Sequence, residues 1–230
     1  MINRWLSYLR RPDHKKNDWD PVPESHAIAY AKHQWAAGVD YLLIDRLESY
    51  LGGLAGKRVL DLGGGPGQYS VEFAKRGAIV TWHDVSGRYQ AFAAEKAREH
   101  NVNIQFSLGY MDEARDMLDG NFDLIFNRIC WCYCHSDRAF AKVIYALSKP
   151  NGIIYIDTNN SHWCWSKLSY LAKLRALINN YAFIKIGHPH PPHDRIAEIF
   201  NQFSVEFISI DYSLPTNDRL IIKRKAVDLI

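Results

Sequence analysis

The part of the sequence that most constrains the fold is a glycine-rich run from Val59 to Ser70, Val-Leu-Asp-Leu-Gly-Gly-Gly-Pro-Gly-Gln-Tyr-Ser. The apolar segment Arg58–Leu62 is bounded by glycines on both sides, which predicts a short strand covered on both faces. The glycines that follow allow a tight turn and let the backbone approach a ligand closely. A helix is predicted next, over Gln68–Arg76, with its N-terminal N–H groups directed at that ligand.

Two common nucleotide-binding patterns do not fit this run. A dinucleotide fingerprint needs a third glycine or alanine where Gln68 stands, and a phosphate-binding loop needs a lysine well before Lys75. What remains is an acid, Asp61, two residues before Gly63. A carboxylate at a strand end repels a pyrophosphate but suits a ligand that carries a cation and hydroxyl groups. A plain strand–turn–helix connection, in which the glycines only turn the chain, is the alternative.

The pattern Asp61-x-Gly63-x-Gly65-x-Gly67 resembles the first motif of class I S-adenosylmethionine-dependent methyltransferases. The resemblance implies that the turn cradles the amino-acid end of S-adenosylmethionine and that Asp61 orients its ammonium group, directly or through water. The run from Leu147 to Ile156, Leu-Ser-Lys-Pro-Asn-Gly-Ile-Ile-Tyr-Ile, resembles a later turn-and-strand signature of the same family. The resemblance covers residues 55–157 and, more loosely, the C-terminal residues.

The length and composition agree with one globular domain that carries one additional structural element. The chain has 230 residues, of which 47% are hydrophobic and 23% are charged. A formal net charge of +3 without a long basic block argues against nucleic acid as a partner. No apolar run is long enough to predict a transmembrane segment, and the N-terminus does not read as a signal peptide. Four cysteines do not make a disulfide scaffold, so a cytoplasmic location is expected.

Hydrophobic periodicity predicts an alternation of strands and helices after the glycine turn. Further strands are expected at 78–83, 103–108, 121–127 and 153–157, with helices at 88–99 and 136–148. A helix at 194–202 and two strands at 205–212 and 219–223 follow. The predicted fold is α/β, with a seven-stranded, mostly parallel Rossmann-like sheet, a C-terminal antiparallel hairpin and added N-terminal helices.

The chain is expected to divide near residue 50. Residues 1–50 are predicted to form a helical arm or cap, with helices over 25–38 and 39–50 and a short amphipathic helix over 2–10. Residues 51–230 are predicted to form the methyltransferase domain. A break in the strand–helix rhythm predicts a substrate-covering insertion at about 158–192, which includes a helix over 163–177. His162, Trp163 and Trp165 in that insertion are candidates for shaping an acceptor pocket.

Two acids and an amide are expected at the ends of neighbouring strands. Asp84 ends the second strand, where a carboxylate can accept hydrogen bonds from both ribose hydroxyls; a helix cap is the alternative role. Asn127 ends the fourth strand and is expected to face the reacting methyl group. The predicted cofactor-binding residues are Asp61, Gly63, Gly64, Gly65, Gly67, Asp84, Val85, Tyr110, Met111, Asp112 and Asn127.

The residues after the third strand depart from the family pattern. Tyr110 stands where the family often has an acid for the adenine amino group, and Asp112 is the candidate replacement. Met111 is expected either to pack on the adenine ring or to belong to the core.

The run from Cys130 to Cys134 has three cysteines at alternate positions, but it lacks the Cys-x-x-Cys pairs of a zinc site. On an extended chain the three thiols would face one way, as buried apolar groups, and no metal site is predicted. The histidine–proline run 188–193 is interpreted as a stiff surface loop, with a base or a metal ligand as the alternatives.

Methyl transfer from a sulfonium requires alignment and exclusion of water more than acid–base chemistry. No catalytic residue is assigned, although His135, His162, His188 and His190 are candidate bases for a hydroxyl acceptor. The predicted function is S-adenosylmethionine-dependent methyl transfer to a small molecule by in-line displacement. The alternatives are an NAD(P)-binding oxidoreductase on a related sheet and a non-catalytic cofactor-binding homologue. The oligomeric state is not predicted.

Overall fold

The structure is a computed structural model, and it describes residues 20–160, 169–171, 173, 174, 188 and 190–226. The helices are α1 (Glu24–Ala37), α2 (Tyr41–Leu51), α3 (Gln68–Lys75), α4 (Gly87–Glu99), α5 (Ala114–Met117), α6 (Asp137–Leu147) and α7 (Arg195–Phe200). The strands are β1 (Arg58–Leu62), β2 (Ile79–Asp84), β3 (Ile104–Leu108), β4 (Phe122–Arg128), β5 (Ser148–Asn159), β6 (Val205–Asp211) and β7 (Asn217–Arg224). The expected helix at 2–10, most of the one at 163–177, and the side chains of His162, Trp163 and Trp165 lie outside the described residues.

All seven strands form one sheet in the order β3-β2-β1-β4-β5-β7-β6. Strands β1 to β5 pair with one another in parallel, whereas β7 is antiparallel to both β5 and β6. The predicted fold is therefore confirmed. The strand order reverses between β1 and β4, and ligands of such sheets bind outside the carboxyl ends of the strands at this point.

Each face of the sheet is covered by helices. On one face, α2 and α3 bury Ile44, Leu47 and Phe73 against a core that includes Val59, Phe126 and Tyr155. On the other face, α6 and α7 bury Phe140, Ile144, Ile196 and Phe200 against Leu60, Ile125 and Ile154. Because successive strand residues point to opposite faces, these strands carry apolar residues at nearly every position.

β5 begins at Ser148, before the residues that were predicted to form a turn into it. Ser148 pairs with Phe122, and the register then shifts before Leu124 pairs with Ile153. Asn151 takes a left-handed conformation with φ 64°. The prediction of a later start was wrong because an irregular strand can carry Pro, Asn and Gly at its bulge.

Asp123 joins three strands at the start of β4. It accepts a hydrogen bond from the Arg58 amide at 2.9 Å, and Lys149 Nζ lies 2.5 Å from its other oxygen. Burial acts to raise the pKa of Asp123, but these hydrogen bonds outweigh it and hold the pKa below its usual value. The acid therefore fixes the position of β4 between β1 and β5.

The cysteine run is not extended, so the prediction that its three thiols face one way was wrong. Trp131–Tyr133 form a short 3-10 helix, which turns the chain through one tight loop. Cys130 Sγ lies 3.5 Å from the carbonyl oxygen of Leu62, whereas Cys134 Sγ lies 3.9 Å from Asp137 Oδ1. The two thiols therefore belong to different surroundings.

Among the described helices, none has both the length and the apolar character needed to cross a bilayer.

Candidate functional site

The glycine turn after β1 is held by the last residues of β2. The amide of Gly63 donates to the carbonyl oxygen of His83 at 2.7 Å, and the amide of Gly65 donates to Asp84 Oδ2 at 3.0 Å. These turn N–H groups are therefore used inside the protein, which fixes the turn at the carboxyl edge of the sheet.

The glycines of the turn differ in what surrounds them. Three of them lie against protein side chains, namely Gly63 against Cys130, Gly64 against Trp82 and Gly67 against Ala93. Gly65 has φ 49°, and a Cβ atom at this position would meet nothing within 4 Å. Internal packing thus explains three glycines, while Gly65 presents an open backbone surface to a ligand.

Asp61 is buried between β1 and α3. Its side chain accepts a hydrogen bond from Ser70 Oγ at 2.6 Å, and the Ser70 amide also donates to it. Burial raises the pKa of Asp61 to about 7, although both hydrogen bonds act to lower it. A cation nearby would favour the ionised carboxylate.

Asp84 joins the turn to the start of α4. Its Oδ1 atom accepts from the Ser86 amide at 2.9 Å, while Oδ2 accepts from Gly65. Burial raises the pKa of Asp84, and backbone hydrogen bonds from Ser86, Gly65 and Val85 oppose that rise. Ser86, not Asp84, is the N-cap of α4. Because each carboxylate oxygen can accept more than one hydrogen bond, the backbone contacts of Asp84 leave capacity for ligand hydroxyls.

Asn127 is fully buried at the carboxyl end of β4. Its Nδ2 atom donates to the carbonyl oxygen of Leu62 at 2.8 Å and lies 3.0 Å from Cys130 Sγ. Its Oδ1 atom has no hydrogen-bond partner within the part of the chain that the structure describes. A buried amide oxygen left without a donor costs about 1–3 kcal/mol, so this atom indicates a missing donor group.

Comparison with known proteins shows what the central part of the chain resembles. A family profile described as "Methyltransferase domain" matches residues 59–152. The ubiquinone biosynthesis O-methyltransferase of Erwinia tasmaniensis is 30% identical over 122 residues, which are 53% of this chain and 50% of that protein. Residues 59–152 of the chain are therefore similar to a methyltransferase domain. The enzyme of the same name from Pasteurella multocida is 30% identical over 154 residues, which are 63% of this chain and 60% of that protein.

The match thus spans 50% and 60% of the length of these two relatives. Solved structures share the fold of this chain. An O-methyltransferase family protein from Burkholderia thailandensis aligns with TM-score 0.64 and 18% identity, covering 99% of this chain and 69% of that chain. The magnesium protoporphyrin IX methyltransferase of Synechocystis PCC 6803, solved with bound SAM, aligns with TM-score 0.56 and 16% identity, covering 97% and 91%.

The residues that follow β3 reach the same edge of the sheet but make other contacts. Met111 is partly buried against the core shared with α6 and α7. Asp112 accepts from the His135 amide at 3.0 Å, and the carbonyl oxygen of Tyr110 lies 3.3 Å from His83 Nε2. The structure therefore brings these residues to the site edge, while their role toward adenine stays a prediction.

The sequence analysis did not predict how the aromatic groups that surround the site pack against one another. Tyr30 of α1 packs against Tyr89 with ring centroids 5.8 Å apart. Burial raises the pKa of Tyr30, and Arg128, Cys130 and Asp84 are close enough to act on it electrostatically. Aromatic residues at helical spacing predict burial but not the element they contact, so the sequence held no specific signal.

The histidine–proline run contacts two parts of the carboxyl edge. The ring of His188 lies 4.9 Å from that of Tyr133, just after β4. Farther along, buried Asp218 lies 2.7 Å from His193 Nδ1 and accepts from Asn160 Nδ2 at 2.9 Å.

His193, Asp194 and Asp218 form a group of potential metal ligands among the described residues. The Asp194 amide also donates to Asp218, at 2.8 Å. These contacts hold Asp218 between Asn160, His193 and the start of α7.

Proposed function

We propose that the protein transfers the methyl group of S-adenosylmethionine to a hydroxyl oxygen of a small molecule. The observation that carries the cofactor assignment is the buried Oδ1 atom of Asn127 beside the glycine turn, for which the described part of the chain offers no hydrogen-bond donor. An ammonium group is a donor that suits this position. It would also convert Asp61, whose pKa burial raises to about 7, into a full anion.

The other contacts of the cofactor are proposed by chemistry and position. The carboxylate of Asp84 would accept from the ribose hydroxyls, and the open face of Gly65 would lie against the ligand. Val85, Tyr110, Met111 and Asp112 are proposed to surround the adenine end.

When bound, the cofactor supplies an electrophilic methyl group. The chain's own task is to align an acceptor with that methyl group and to exclude water. The aromatic rings of Tyr30 and Tyr133 stand beside the strand ends, where they would exclude water from the site. No catalytic base is assigned.

A small hydroxylated acceptor is proposed because both curated relatives carry the name O-methyltransferase. Residues 1–50 and about 158–192 are proposed as the cap and the acceptor cover. Contacts of Trp35 with Pro66 and of His188 with Tyr133 support this division. A cytoplasmic location is also proposed, since the described cysteines form no disulfide.

Calorimetric titration tests the cofactor assignment. We expect S-adenosylhomocysteine to bind and NADH and NADPH not to bind. Asp84→Asn, which keeps the side-chain shape but removes its charge, should weaken S-adenosylhomocysteine binding about tenfold or more. Asp119→Asn, an exposed acid before β4, should leave the affinity unchanged. Binding of a nicotinamide nucleotide instead would favour the oxidoreductase alternative.

A turnover assay tests the reaction. We expect S-adenosylhomocysteine to form from S-adenosylmethionine when catechol and other hydroxyaromatic compounds are supplied, and mass spectrometry should find the added methyl group on oxygen. Cofactor binding without turnover on that panel would argue against hydroxyaromatic transfer and favour the non-catalytic alternative.

A further inference from the structure

Two tryptophan side chains donate hydrogen bonds to adjacent carbonyl groups of the glycine turn. Trp82 of β2 donates from Nε1 to the carbonyl oxygen of Gly65 at 3.0 Å. Trp35 of α1 donates from Nε1 to the carbonyl oxygen of Pro66 at 2.9 Å. One donor thus belongs to the sheet, and the other comes from a helix that precedes the matched residues 59–152.

Trp82 supports the turn from the buried side of the site. Its side chain is fully buried, and its ring lies against the α-carbon of Gly64. Together with Asp84, which accepts from the amide of Gly65, Trp82 engages both polar backbone groups of that residue. A glycine with open space around it has wide conformational freedom, so these two hydrogen bonds select one orientation of its peptide groups.

Trp35 holds the next carbonyl group, that of Pro66, from helix α1. Its ring stacks on His100 with centroids 5.6 Å apart, and Lys96 Nζ lies 5.4 Å from its centre, so α4 fixes the indole. Pro66 is buried, and its carbonyl oxygen would lose this partner if α1 moved away. An unpaired buried carbonyl is unfavourable, which couples the turn to the docking of α1.

We propose that Trp35 and Trp82 are positioning residues that hold the Gly65–Pro66 segment in its binding conformation, so that docked α1 is part of the cofactor site. The inference rests on the proposed function and extends it to a helix outside the matched region. A ligand that binds one conformation has an apparent affinity reduced by the fraction of molecules in that conformation. Removal of either indole N–H group lowers that fraction.

Phenylalanine substitutions test the proposal by calorimetry. Trp35→Phe keeps an aromatic ring that can stack on His100 and removes the N–H donor together with part of the indole ring. We expect Trp35→Phe and Trp82→Phe each to weaken S-adenosylhomocysteine binding about tenfold. Tyr145→Phe is the matched control, because the Tyr145 hydroxyl donates to the carbonyl oxygen of Ser204 at 3.1 Å, away from the turn. This control should retain the affinity of the unmodified protein.

Amide exchange measured by NMR on the ligand-free protein gives a second readout. The amides of Gly65 and Gly67 should exchange about tenfold faster in Trp35→Phe and at an unchanged rate in Tyr145→Phe. Unchanged exchange together with unchanged affinity in a folded Trp35→Phe protein would overturn the proposal. If the unmodified protein does not bind S-adenosylhomocysteine, the proposed function fails, while the exchange rates still decide the positioning role. If Trp82→Phe does not fold, the partly exposed Trp35 carries the test.

Discussion

At the scale of single residues, the two acids beside the glycine turn serve the protein as well as a ligand. Asp61 receives both donor groups of Ser70, and Asp84 receives amides from the turn and from α4. These contacts tie β1 to α3 and β2 to α4. Substitution of either acid therefore changes stability as well as binding, and the two effects have to be measured separately.

Asp61→Asn should change how stability depends on pH. Burial raises the pKa of Asp61 to about 7, so the folded state holds a proton that the unfolded chain releases at lower pH. The stabilisation is complete below the unfolded pKa and is lost as pH rises through the folded pKa. Relative to the unmodified protein, Asp61→Asn should gain about 2–3 kcal/mol of unfolding free energy between pH 5 and pH 8 in urea titrations.

The exposed acid Asp119 provides the control for this experiment. Asp119→Asn should follow the unmodified protein across the same pH range. A constant difference between Asp61→Asn and the unmodified protein at every pH would show that Asp61 keeps an ordinary pKa when folded.

The location of the site residues was predictable where the neighbouring residues in the sequence determine the local backbone structure. A strand end followed by Gly63, Gly64 and Gly65 identified the turn without knowledge of the rest of the chain. The donors of Trp35 and Trp82 were not predictable, since a hydrogen bond between distant elements depends on how those elements pack.

At the scale of elements, α3 and α4 meet where Gly67 faces Ala93. A Cβ atom on Gly67 would lie 2.6 Å from Ala93 Cβ, and Gly67 has φ 83°. Gly67→Ala should therefore lower the unfolding free energy by about 3 kcal/mol, through both backbone strain and overlap. Adding Ala93→Gly should recover about 1 kcal/mol or more in a double-mutant cycle measured by urea unfolding.

The variant Gly52→Ala measures the cost of backbone strain without the cost of steric overlap. Gly52 also has a left-handed backbone, with φ 67°, but a Cβ atom there meets nothing within 4 Å. We expect this variant to lose only about 1 kcal/mol. Equal losses at both glycines would mean that α4 shifts freely to make room.

Elements with a regular pattern were predicted well, and irregular ones were not. The parallel strands have near-continuous apolar runs, which is why their positions agreed with the sequence. The start of β5 at Ser148 was missed because the residues before Ile153 have turn composition. The 3-10 helix Trp131–Tyr133 is too short to show a period, so alternating cysteines were interpreted as extended chain.

At the scale of the whole molecule, one sheet is shared by two cores. In β7, Ile221 faces the core of α2 and α3, whereas Leu220 and Ile222 face the core of α6 and α7. Ile222→Ala should lower the unfolding free energy by about 2–5 kcal/mol. Because the sheet is common to both cores, hydrogen exchange in urea should show equal losses for peptides of α3 and of α6.

Ile28, which is 45% exposed on α1, supplies the comparison. Ile28→Ala should change the unfolding free energy by less than about 0.5 kcal/mol. A loss of protection confined to α6 in Ile222→Ala would mean that the two faces unfold independently.

The carboxylate of Asp218 has a consequence for how this fold can diversify. It binds Asn160, which ends one side of residues 161–192, and His193, which begins the other side. Both ends of that segment are thus fastened to one buried group of β7, and the entropy of closing a loop rises only slowly with its length. Segments of other lengths and compositions can therefore be grafted between these two anchors, and a set of such chimaeras should keep one folded scaffold.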